Sequence, residues 1–85
     1  MMTVWETKYK MHTIRVENTW KTEKLYVDGE LQDERIGYKS ESRLYGRIRT
    51  GENETEYIKV SIGAYWFTVQ CRIFVSDRLV FSSES

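Results

Sequence analysis

The sequence predicts an all-β fold, a small antiparallel β-sandwich of seven to eight strands in a single domain over residues 1–85. Three observations carry that expectation. Apolar and polar residues alternate along most of the chain, the period of a strand with one buried face and not of a helix. Turn chemistry interrupts the alternation roughly every ten residues, too often for a crossover helix, so consecutive strands run antiparallel. Eighty-five residues suffice for one thin core and no second domain.

Strands are expected near 3–9, 11–17, 24–28, 30–36, 43–49, 55–62, 66–75 and 78–82. The clearest is Phe67-Thr68-Val69-Gln70-Cys71-Arg72-Ile73-Phe74-Val75, apolar at every odd position. Ile58, Val60 and Ile62 repeat the device, as do Ile14 with Val16, Leu25 with Val27, and Leu44, Gly46 and Ile48. Asp28-Gly29 tolerates the positive φ angles of a tight hairpin. Thr50-Gly51-Glu52-Asn53, Gly63-Ala64-Tyr65 and Ser76-Asp77-Arg78 mark further turns. Leu25-Tyr26-Val27-Asp28-Gly29-Glu30-Leu31 is echoed by Ile73-Phe74-Val75-Ser76-Asp77-Arg78-Leu79. Either hairpins reuse a good solution, or the two occupy corresponding corners of two sheets.

Thirteen basic and thirteen acidic residues cancel, which argues against a protein that neutralises the phosphates of a duplex. With 40% hydrophobic and 14% aromatic residues the chain is too apolar to be disordered. No stretch has the length of a membrane span or the apolar core of a signal peptide. Cys71 is the only cysteine, so no internal disulfide or thiolate metal cage can form, and a cytoplasmic location is expected.

Candidate chemistry is sparse. His12 shares the apolar phase of Ile14 and Val16 and reads as a histidine hydrogen-bonded at the edge of the core. Cys71, in phase with Val69 and Ile73, reads as a buried, inert thiol. Glu52, Glu54 and Glu56, with Asp33 and Glu34, sit in or beside turns and read as solvated. Phosphate loops, dinucleotide fingerprints, nucleophile elbows and calcium-loop spacing are missing from the sequence. No catalytic residue, cofactor or metal is expected.

The aromatic residues hold more interest, because several fall on the polar phase of their strands. Tyr26, Tyr45, Arg47, Arg49, Tyr65, Trp66 and Phe74 form the candidate interaction surface. Cross-strand aromatic packing, a protein or homodimer interface, and stacking on sugars or exposed bases all remain open for these rings. Arg43, Arg47 and Arg49 make the best basic patch, and the acids of residues 52–56 across the turn are expected to pair with them in a ladder. Without proline, guarding of edge strands falls to Lys8, Lys10, Lys24 and Arg35. An edge left open would pair with a second copy or accept a client strand.

Val4-Trp5, His12-x-Ile14-x-Val16-Glu17, Leu25-Tyr26-Val27-Asp28-Gly29 and Arg35 resemble the N-terminal domain of the Fas apoptotic inhibitory molecule (FAIM) family. Leu44-Tyr45-Gly46, Ile58 to Ile62 and Phe67 to Val75 follow in matching order, so the resemblance runs over roughly residues 3–81. It implies an all-β sandwich without catalytic residues or cofactor. Animal members carry two such domains in tandem and are linked to resistance to apoptosis and to stress-induced aggregation. Arg15 and Asn18 depart from the animal pattern, and the run between the third and fourth strands is shorter. The resulting expectation is a non-catalytic protein-interaction module that acts through sheet faces or edges on a protein partner or on itself. The alternative is a small carbohydrate- or anion-binding domain using exposed aromatics and arginines.

Overall fold

The computed structural model describes residues 2–37, 39–65 and 68–84, and for Tyr65 the backbone only. Eight strands run in sequence: β1 (Thr3–Tyr9), β2 (His12–Asn18), β3 (Thr22–Val27), β4 (Glu30–Ile36), β5 (Glu41–Gly51), β6 (Glu54–Tyr65), β7 (Thr68–Val75) and β8 (Arg78–Ser82). They make two four-stranded antiparallel meanders, β1-β2-β3-β4 and β5-β6-β7-β8. The expected all-β fold of eight strands is what the chain adopts, and β3, β5 and β6 extend a few residues past the expected limits. Tyr38, Trp66 and Phe67 lie outside the described residues.

Strand alternation supplies the core. Trp5, Ile14, Val16, Leu25 and Val27 from the first sheet meet Leu44, Ile48, Ile58, Val60, Ile62, Cys71, Ile73 and Val75 from the second in one buried cluster. Ten of these side chains are essentially inaccessible, Cys71 among them. At about 1.5–3 kcal/mol for each large apolar side chain buried, this layer is the main favourable term of so small a domain.

Three hairpins turn on two residues that both have positive φ: Lys10-Met11 (45° and 68°), Asp28-Gly29 (51° and 85°) and Ser76-Asp77 (51° and 63°). Such turns match the right-handed twist of the flanking strands. Only one of the six positions is glycine, and each L-residue held there costs roughly 1–2 kcal/mol.

The sequence echo has a structural counterpart. Asp28-Gly29 joins the third and fourth strands of the first sheet, and Ser76-Asp77 joins those of the second. Each hairpin carries a bulge at the same step, after Leu25 in one and after Ile73 in the other. The extra residues are Gln32 and Val80. Of the two readings, corresponding corners of two sheets is the one the fold adopts.

Between β4 and β5 the sandwich is closed by side chains in place of a ladder. Asp33 Oδ2 accepts the Tyr45 N–H at 2.8 Å, and Gln32 Oε1 accepts the Arg47 N–H at 2.9 Å. His12 Nε2 lies 2.9 Å from the Arg49 carbonyl. The edge of β5 is therefore occupied by polar groups of the first sheet. This revises one expected guard: Lys24 lies on the interior strand β3 and pairs with Glu34 at 3.7 Å, whereas Arg35 does lie on the edge strand β4, where it holds Asp33 at 2.7 Å. Gly46 permits the close approach, because a Cβ there would lie 2.8 Å from Gln32 Oε1 and 2.9 Å from Leu25 Cδ2.

Candidate interaction face

Each sheet turns one face to the core and one to solvent, and the two outer faces differ in kind. On the first sheet, Glu6, Lys8, Arg15, Glu17, Lys24 and Glu34 alternate with the core residues. Three bases meet three acids there, and Arg15 contacts Glu17 at 2.9 Å and Glu6 at 3.6 Å. The hydrogen bond to Glu17, against a small burial cost, holds the Arg15 pKa above its usual value. This face neutralises itself.

The outer face of the second sheet is cationic and aromatic. The pairing register places Tyr45, Lys59, Phe74 and Leu79 in one row across all four strands. Arg47 faces Tyr57 in the next row, and Arg49 faces Thr55 beyond it. Tyr45, Tyr57 and Leu79 are 52%, 65% and 53% exposed. The Lys59 ammonium stands 5.0 Å from the centroid of the half-buried Phe74 ring, a cation–π contact. At one end of the face Arg43 lies 3.5 Å from Glu41, and Arg72 meets Glu84. Among the described residues, no carboxylate pairs with Arg47, Arg49 or Lys59.

The expected ladder of ion pairs is thus corrected. Arg49 donates to the backbone carbonyl of Glu52 at 2.9 Å, not to a carboxylate. Glu56 stands opposite Ile48, on the inward phase of β6. There its carboxylate, 13% exposed, accepts from Tyr9 Oη at 2.7 Å, Ser76 Oγ at 2.9 Å and Lys10 Nζ at 3.0 Å. Those donors, Tyr9 first and Lys10 next, hold its pKa down at about 2. Glu56 is a clasp joining β6 to two hairpin turns, not the solvated acid expected.

The candidate residues divide accordingly. Tyr45, Arg47, Arg49 and Phe74 share the outer face of the second sheet. Tyr26 lies on the opposite side of the molecule, between Arg15 and Leu31. Trp66 and the Tyr65 side chain fall outside the described residues. Tyr57, Lys59 and Leu79 belong to the face and are additions to the expected set. The phase of Ile58 and Val60 pointed to the first two, whereas the bulge at Val80 hid Leu79.

Other chemistry-bearing groups are engaged internally. Each ring nitrogen of His12 faces an acceptor, Asp28 Oδ2 at 2.7 Å and the Arg49 carbonyl at 2.9 Å, and the ring sits at the core edge as expected. The Thr13 N–H, then His12, hold the Asp28 carboxyl below its usual pKa. Partial burial pushes Asp33 up, and the Tyr45 and Glu34 N–H groups with Arg35 more than reverse it, leaving it low. Glu23, buried between the sheets, accepts from the Ser42 hydroxyl and from Asn18 Nδ2. Burial, with the Glu23 charge as a smaller cause, pushes the Cys71 thiol up to about 12.

Two shallow grooves of about 460 and 340 Å³ flank the β4–β5 corner, both lined by Glu30, Gln32 and Arg47. Among the described residues no three potential metal ligands gather, and no helix is long and apolar enough to cross a membrane. Comparison with protein-family models, with curated proteins and with solved structures returned no match.

Proposed function

We propose that this chain is a non-catalytic, cytoplasmic interaction module that binds a protein partner through the outer face of its second sheet. One observation carries the reading: Tyr45, Tyr57 and Leu79 stand exposed among Arg47, Arg49 and Lys59, cations without carboxylate partners among the described residues. Tyr and Arg dominate the energetics of protein interfaces, since both offer large, partly apolar contact area together with directed hydrogen bonds. The outer face of the first sheet also exposes apolar residues, Val4, Leu31 and Ile36, but its Arg15 and Lys24 are already paired with its own carboxylates. The FAIM resemblance points the same way, toward a β-sandwich acting by contact and not by chemistry.

Affinity capture with three immobilised proteins tests the proposal: the native chain, a Tyr45→Ala/Tyr57→Ala variant and an Arg15→Ala/Tyr26→Ala variant. Proteins retained by the native and first-sheet forms but lost on the second-sheet variant are expected. Equal retention by all three forms contradicts it.

A second reading, a small carbohydrate- or anion-binding domain, draws on the pairing of Arg47 with Tyr57 across β5 and β6. Amide shifts that stay flat during titration with oligosaccharides and inorganic phosphate remove it.

A further inference from the structure

The face has a spacing as well as a sign, and the spacing specifies a partner. Tyr45, Arg47 and Arg49 project from alternate residues of β5, a strand whose outward phase they share. Alternate residues of an extended chain are separated by about 6.6–6.8 Å, whichever chain it is. An extended segment lying along β5 therefore presents its own alternate side chains in register with these three. We propose that the face receives an extended acidic segment of a partner protein, with an apolar or aromatic residue on Tyr45 and carboxylates two and four residues further along on Arg47 and Arg49. This rests on the face being the binding surface, and goes further in naming what it binds.

Several features select this occupant. Arg47 and Arg49 present planar guanidinium forks suited to carboxylates, and no carboxylate of this chain pairs with them among the described residues. Lys59, one strand away from Tyr45, adds a third cation beside the segment. Tyr57 on the neighbouring strand β6, and Leu79 on β8 at the far end of the Tyr45 row, supply apolar surface on the β6 side of the segment. A second copy of the chain fits less well, because the outer face of its first sheet is already neutralised. A single-stranded nucleic acid stacks successive bases on a run of rings, and Phe74, the ring at the centre of the face, is already covered by Lys59. The balanced charge of the whole chain also gives no long-range attraction for a polyanion.

The test uses the full chain, labelled with ¹⁵N and titrated with two synthetic peptides of one composition. One contains Phe-Ser-Glu-Ser-Glu, and the other Phe-Ser-Ser-Glu-Glu, which breaks the alternation. The alternating peptide is expected to bind several-fold tighter, to move β5 amides, and to weaken roughly tenfold when salt is raised well past physiological strength. Arg47→Glu/Arg49→Glu is expected to abolish binding and Lys59→Gln to weaken it a few-fold, with retained amide dispersion showing that each variant folds. Equal affinity for the two peptides overturns the proposal. So does an oligothymidylate that binds tighter than either and depends on the same arginines, which would make the face a nucleic-acid site. If both peptides fail while Tyr45→Ala/Tyr57→Ala still abolishes protein capture, the acidic segment is refuted and the face survives.

Discussion

Replacing Gly46 by alanine tests the closure of the sandwich at its β4–β5 corner. The new Cβ would stand 2.9 Å from Leu25 Cδ2 and 2.8 Å from Gln32 Oε1, where ordinary carbon contacts lie at about 3.5–4.0 Å. Leu25 is fully buried and cannot retreat without displacing its core neighbours. Gln32 can swing away only by releasing the Arg47 N–H. Overpacking of this size costs about 1–3 kcal/mol, and the released hydrogen bond about 0.5–1.5 kcal/mol more. Against these stands a gain of about 0.5–1 kcal/mol from restricting the unfolded chain. A net loss of about 1–3 kcal/mol follows, read as a lower urea midpoint with unchanged slope, or as a Tm drop of roughly 4–8 °C per kcal/mol for a domain this size. Adding Gln32→Ala should recover part of the loss, giving a measurable coupling in the double-mutant cycle. A neutral or stabilising Gly46→Ala refutes the reasoning.

Other perturbations probe separate parts of the molecule. Met11, 99% exposed at a φ of 68°, gains nothing from its side chain, so Met11→Gly should stabilise by about 1 kcal/mol in chemical denaturation. The Glu56 clasp has a depressed pKa, so its stabilising effect is complete above the ordinary carboxylate range and fades as pH falls toward about 2. Native and Glu56→Gln proteins should differ in stability at neutral pH and converge near pH 2, which melts recorded across that range will show. Cys71 should resist thiol reagents at pH 8 in the folded chain and react at once in denaturant; rapid labelling of the native protein would contradict its burial. Ser42→Ala removes a donor from buried Glu23 and should cost about 1–3 kcal/mol in denaturant titration.

The fold was legible because period two is a local property. Ile58, Val60 and Ile62 face inward in any pairing that buries one side of their strand, and Asp28-Gly29 fixes its hairpin by backbone preference alone. Register is not local. The phase that turns Ile58 inward also turns Glu56 inward, yet proximity to the turn suggested a solvated acid pairing with Arg47 or Arg49. The observed pairing sets those arginines against Tyr57 and Thr55 instead. Bulges are equally invisible: an extra residue at Gln32 or Val80 leaves no mark on composition, but it reverses phase, and the one at Val80 brings Leu79 onto the outer face of the second sheet. Tyr26 and Tyr45 both break the apolar rhythm, so alternation alone groups them. Alternation tells an outer residue from an inner one, and only the topology tells which of two outer faces it joins.

Hydroxyl-radical footprinting of the chain, alone and with a protein that it retains in capture, addresses the working surface most directly. Protection concentrated at Tyr45, Tyr57, Phe74 and Leu79, with Tyr26 and Leu31 as reactive as before, is the predicted pattern. Protection of Tyr26 and Leu31 with the second sheet left reactive would place the contact on the wrong side of the molecule and contradict the account.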